Sequence, residues 1–170
     1  MKWQKESHGG SAFMSDRENS AEPTLRFYEV LGIMTALAFE SELHRAWSIS
    51  DLQANFIPAI ILGHCKVYFD RERHPCAFAT WALVDDETHL KLLADGNTPE
   101  HEKWNLGHHL WFIDIVAPFG NALSVVRDLQ RVMFPAADGA HSIYRNPDGS
   151  VRRYRRWRNA LSKNASAFDL

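Results

Sequence analysis

The stretch LWFIDIVAPFG, residues 110–120, holds ten apolar, aromatic, Pro or Gly residues and a single acid, Asp114. An isolated carboxylate in such surroundings costs several kcal/mol unless it is paired, hydrogen-bonded or protonated. Asp114 is therefore either a structural acid, paired with a cation such as Arg45 or capping backbone amides, or a group held there for chemistry. Histidine is the other chemical resource, and nine are spread along the chain. One of them, His44, lies in the polar segment SELHRAW at 41–47. Taken alone it reads as a loop or helix-capping histidine. A loop histidine and a strand acid can also act together, the carboxylate fixing the tautomer of the imidazole and stabilising its cation while the ring works as a general base.

Other chemistries lack their signatures. There is no GxGxxG or GxxxxGK[ST] phosphate cradle and no GxSxG nucleophile elbow. Neither HExxH nor a CxxC pair occurs, so the histidines do not show zinc-ligand spacing and no metal is expected. His108 and His109 are adjacent; on a strand beginning at that point they face opposite ways and read as solvated loop histidines. Cys65 and Cys76 are too few for a disulfide framework and read as reduced thiols of a cytosolic protein.

The elements that must position these residues follow from periodicity. With 170 residues, 45% of them hydrophobic, the chain has the size of one domain with a real core. Residues 1–22 are polar and Gly/Ser-rich and read as a disordered arm, 23–160 as the domain, and 161–170 as a tail. Pro23 suits a first helical turn, and Phe27, Val30, Leu31, Met34, Leu37 and Ala38 repeat at helix spacing. A second helix starts in SISDLQANFIPAI and is interrupted by Pro58. CKVYF and CAFATWAL flank the turn-like DRERHP as a β-hairpin. DDETHLKLLAD is a short helix or a strand with a polar face, and 96–109 a loop. LWFIDIV is apolar on both faces and so central in a sheet, with Asp114 beside Leu110, Phe112 and Val116 by simple alternation. ALSVVRDLQRVMF carries a helical stripe, and HSIYR and SVRRYRRW form a second hairpin about NPDG. Helices and mostly antiparallel strands in one sheet make an α/β or α+β layer architecture. No stretch reaches 18 consecutive apolar residues, and the N-terminus has no apolar signal core.

Four segments, in order and spacing, resemble the toxin-activating lysine acyltransferases: SELHRAW, IPAI at 57–60, HPCAFATWA at 74–82, and WFIDIVAPFG at 111–120. The resemblance spans about residues 27–149. Ile115 stands where many members have Trp, and His109 where Lys or Arg is common. The resemblance implies a fold similar to the GNAT acetyltransferases. It also implies transfer of a fatty acyl chain from acyl carrier protein to internal lysines of an RTX protoxin, in the cytoplasm, with a homodimer as the assembly. The family's catalytic histidine falls on His44, its catalytic acid on Asp114 and its supporting loop serine on Ser41.

The residues suit that chemistry. Amide formation needs a neutral lysine amine, which at pH 7 is a fraction of about one in 2,500, a deficit of roughly 4.6 kcal/mol. An imidazole base answers that need, and an acyl-imidazole route remains open. The donor is a thioester, already activated, so no bound cofactor is called for. The pyrophosphate loop that acetyl-CoA enzymes place at a helix start is absent here, which fits a carrier-protein donor. Carrier proteins are acidic. The last thirty residues hold seven Lys or Arg against two acids, including Arg152, Arg153, Arg155, Arg156 and Arg158, a candidate docking surface. Alternatives are the same chemistry on a non-toxin acceptor, a non-catalytic adaptor for an acidic protein, and a nucleic-acid binder. The last has no helix-turn-helix, zinc-finger or RRM signal behind it. The catalytic reading makes one geometric demand: His44 and Asp114, seventy residues apart, must converge in one cleft.

Overall fold

A computed structural model describes the backbone of residues 15–159 and the side chains of 26–159. Five strands form one sheet in chain order: β1 (Cys65–Phe69), β2 (Pro75–Val84), β3 (His109–Val116), β4 (Gly139–Arg145) and β5 (Val151–Arg158). All neighbours are antiparallel except β3 and β4. Helices α1 (Ser15–Phe39), α2 (Ile49–Ile61) and α3 (Asp86–Asp95) carry residues that pack on one face. α4 (Ala122–Asp128) continues as a π-helical turn, Leu129–Met133, and packs on the other face. The mixed α/β architecture with a mostly antiparallel, helix-flanked sheet is thus the one expected.

Alternation along β2 sorts the core. Ala77, Ala79 and Trp81 meet Val125, Val126 and Leu129 of α4 and its turn. Phe78 meets Met34, Leu37 and Phe56, while Ala82 and Val84 meet Leu92 and Trp104. Trp104 is fully buried although it lies on the long loop after α3; its Nε1 donates to the Pro99 carbonyl at 3.0 Å.

Two helix boundaries differ from expectation. α1 begins at Ser15 rather than Pro23, extending into the segment read as an arm. SDRENSAE has no apolar stripe for periodicity to detect, yet its Glu, Arg and Ala are compatible with helix; residues 1–14 and 160–170 lie outside the described residues. Pro58 does not interrupt α2, which runs through it to Ile61. The start of α2 is set by a capping box between Ser48 and Asp51. Pro58 removes one hydrogen bond near the helix end, and the burial of Phe56, Pro58 and Ala59 offsets that loss. α3 resolves the helix-or-strand ambiguity: Asp85 caps Thr88 N–H at 2.8 Å, and Gly96 closes the helix in the left-handed region at φ 72°.

Phe56 ties α2 to the sheet. Its ring sits edge-on to Phe78 at 5.2 Å and is tilted against Trp47 at 5.9 Å. Replacing Phe56 by Ala should cost about 3–5 kcal/mol of unfolding free energy, measured by urea denaturation.

Candidate active site

The chain between α1 and α2 turns sharply. Arg45 N–H donates to the Ser41 carbonyl at 3.0 Å, and Trp47 N–H to the His44 carbonyl at 3.0 Å, closing a short 3₁₀ turn at His44–Ala46. In so tight a turn, side chains three apart lie on one side. Ser41 Oγ is accordingly 2.7 Å from His44 Nδ1. Trp47 backs the imidazole, ring centroids 4.5 Å apart. His44 is 7% exposed.

Asp114 reaches this turn because β3 is not regular. Trp81 pairs with Phe112 and Thr80 with Asp114, which leaves Ile113 as an extra residue, a β-bulge. Before the bulge, Leu110 and Phe112 face α4; after it, Ile115 does. Asp114 is therefore turned to the face of Thr80, Phe78 and Val116, where α1 and the His44 turn lie. Simple alternation had placed Asp114 beside Leu110 and Phe112; the extra residue corrects that and keeps only Val116 as its companion. Thr80, fully buried, accepts the Asp114 N–H on Oγ1 at 3.1 Å and so satisfies a backbone donor at the bulge. A lone hydroxyl inside the apolar run CAFATWAL was the available signal for this residue.

The structure thus brings Ser41, His44 and Asp114 together. His44 Nε2 is 3.2 Å from Asp114 Oδ1, and Arg45, the other candidate partner, is exposed. Carboxylate oxygens only accept, so Nε2 carries the proton in the neutral ring. Nδ1 then holds the basic lone pair, and the Ser41 hydroxyl donates to it. Among the described residues, Asp114 Oδ2 is buried without a hydrogen-bond partner. Chemically, such a set can act as an imidazole base oriented by an acid, with a hydroxyl on its other nitrogen.

The pair sits where the sheet opens. β3 and β4 pair only at Trp111–His141 and Phe112–Ser142 and then separate. A cavity of about 310 Å³ fills the gap, lined by Ser41, His44 and Asp114 at one end and by Leu123, Val126 and Trp157 elsewhere. A second, about 200 Å³, lies toward α2 and the end of α3, with Trp47, Asp51, Asn55 and Thr98 on its wall. Phe112, Ile113, Asp114, Ile143 and Arg145 line both. The larger is of ligand-pocket size, about 300–1,000 Å³.

The arginine run does not form one surface. Arg153 pairs with Tyr144 and Arg155 with Ser142, residues that line the larger cavity. Arg155 lies 3.8 Å over the Trp157 ring and Arg153 4.7 Å over Tyr144. Arg156 and Arg158 pair with His141 and Gly139, on the other side of the strand, and Arg152 is the extra residue at a register shift.

Away from the cavities, His108 and His109 do not diverge. β3 begins at His109, and the bend before it turns both imidazoles toward Asp86. Nearby, His141 packs against Trp111 and His89. Burial, then the neighbouring charges of His89, Arg156 and His109, holds the His141 pKa down at about 4.

The profile of the RTX toxin acyltransferase family matches residues 23–158. The chain is 36% identical over 104 residues to a leukotoxin-activating lysine-acyltransferase of Aggregatibacter actinomycetemcomitans, covering 61% of each chain. It is 36% identical over 103 residues to an RTX-I toxin-activating lysine-acyltransferase of Actinobacillus pleuropneumoniae, covering 61% of this chain and 59% of the relative. It is 30% identical over 131 residues to a protein-lysine myristoyltransferase of Kingella kingae, covering 75% and 76%. The matched stretch spans about three-fifths of the length of the first two relatives.

His141 carries a pH dependence of stability. Its folded pKa lies below the ordinary 6.5, so between pH 6.5 and about 4 the unfolded chain binds a proton there that the folded chain refuses. Its contribution is intact above pH 6.5 and is lost as pH falls through that window. His141→Gln should flatten this part of the curve, read by urea unfolding at a series of pH values.

Proposed function

The chain belongs to the RTX toxin acyltransferase family, and from that premise we propose that it is a protein-lysine fatty acyltransferase, moving an acyl chain from acyl carrier protein to internal lysines of an RTX-type protoxin. The observation that carries the reading is the His44–Asp114 contact of 3.2 Å at the opening between β3 and β4. The wall of the larger cavity supports a fatty chain as its guest: Leu43, Phe112, Ile115, Leu123 and Val126 are apolar.

In the proposed reaction His44 acts as general base. Its Nδ1 takes the proton of the attacking lysine amine once the Ser41 hydroxyl has moved aside or passed the proton on. The amine nitrogen bonds to the thioester carbonyl carbon, the C–S bond breaks, and His44 returns the proton to the departing thiolate. Asp114 holds the ring by Nε2–H and stabilises the imidazolium between those two transfers. Ser41 is a positioning residue for the ring. No bound cofactor enters this scheme; the acyl carrier protein is a co-substrate.

Arg153 and Arg155, beside the larger cavity, are the part of the arginine run best placed to meet an acidic carrier protein. Arg152, Arg156 and Arg158 extend the positive field around the same edge strand. No helix of the described residues is long and apolar enough to cross a membrane. The proposed site of action is the cytoplasm, where the carrier protein is charged.

His44→Ala and Asp114→Asn should each lower transfer by about 10²–10⁴-fold, measured as the fatty-acyl mass increment on a co-expressed RTX protoxin. Full activity in either variant overturns the assignment. The double charge reversal R153E/R155E should raise KM for acyl carrier protein, steeply at low salt, and leave kcat near that of the parent protein.

A further inference from the structure

At the end of β3 remote from Asp114, a second group of chemically able side chains converges. Asp86 is the first residue of α3, His109 the first of β3, and His108 the residue before it. His109 Nε2 lies 2.7 Å from Asp86 Oδ1, and His108 Nε2 lies 4.0 Å from the same oxygen. One donor atom from each of the three lies within 4.8 Å of the others. We propose that Asp86, His108 and His109 form a binding site for a borderline divalent transition metal of the zinc class, with a water completing four-coordination.

Geometry is the first argument. Tetrahedral zinc with Zn–N and Zn–O bonds of about 2.0–2.2 Å sets its ligand atoms roughly 3.3–3.5 Å from one another. The observed separations of 2.7 and 4.0 Å bracket that spacing. Asp86 and His108 are about four-fifths exposed and have room to adjust; His109 is 25% exposed and anchors the set.

The surroundings supply the second argument. His109 stacks on His89, centroids 4.0 Å apart and 11° between planes. His89 is itself fixed, because its Nδ1 accepts the Trp111 indole N–H at 3.0 Å. That lone pair is spent, so His89 orients a ligand rather than being one. Asp85 is occupied by the Thr88 N–H and by Lys103 at 3.5 Å, which leaves Asp86 as the carboxylate free to turn to a metal.

The donor set argues for the class of ion. Two imidazoles and one carboxylate suit zinc and its neighbours, whereas calcium and magnesium prefer all-oxygen shells. On binding, the metal takes the place of the proton between His109 Nε2 and Asp86 Oδ1, and the neutral ring carries its proton on Nδ1 instead. The site joins the start of α3 to the start of β3. It lies roughly 16 Å along the strand from Asp114, so its role is structural and separate from acyl transfer.

The test uses the tag-free full-length chain. Zn²⁺ should raise Tm in a saturable, one-to-one manner, and Co²⁺ should give the intense visible absorption of a four-coordinate site. Both responses should disappear in His109→Gln and in Asp86→Asn, each confirmed as folded by circular dichroism, and persist in His101→Ala. Absence of a saturable Tm rise in the intact chain overturns the proposal. So does an undiminished response in either variant, which would mark binding elsewhere or an adventitious ion only.

Discussion

A carboxylate held nine-tenths buried in the middle of a sheet has to be answered by something, because desolvation of the charge costs several kcal/mol. In this fold the answer comes from seventy residues away. The His44 imidazole meets Asp114 from the turn between α1 and α2, and neither side chain is more than 10% exposed. Much of the surrounding structure serves that contact. Phe56 and Trp47 form an aromatic prop between the sheet and the imidazole, and Thr80 absorbs the backbone donor at the bulge. The 3₁₀ turn places Ser41 on the ring's other nitrogen.

The second constraint is the opening of the sheet. Four strand neighbours could have closed into a continuous ladder, but β3 and β4 share only two residue pairs. Parallel pairing requires a crossover, and α4 with its π-helical turn supplies one while covering the face that Leu110, Phe112 and Ile115 present. The separation exposes both sides of Asp114 to cavities that share five wall residues.

Much of this was legible in the residues. Hydrophobic alternation and turn chemistry located both hairpins, and the apolar residues on both faces of LWFIDIV put β3 at the centre. The acid in that run announced itself as an energetic anomaly before any fold was known. What alternation could not supply was the direction of the acid, because one extra residue, Ile113, reverses the facing of those that follow it. That is a property of how β3 pairs with β2 and of the Thr80 hydroxyl that receives Asp114 N–H, neither of which is written in the local pattern. The same limit hid the meeting of His108 and His109, since adjacent residues diverge only where the backbone is regular. Pro58 shows the converse case: a strong local breaker is overridden where the helix is already anchored by buried side chains on either side of it.

The bulge also explains why one strand can serve two unrelated ends. Upstream of Ile113, β3 is a regular ladder from Val84–His109 to Trp81–Phe112, rigid enough to hold His109 against His89 and α3. Downstream, the ladder is reset, and Asp114 answers to the α1–α2 turn instead. Deforming one end need not be transmitted to the other, because the register break takes up the change locally and Phe112 remains fixed in the α4 core. An irregular residue in a central strand costs pairing energy. It persists here because no regular strand could keep Phe112 and Ile115 on the α4 face while turning the acid between them toward a histidine on the opposite side.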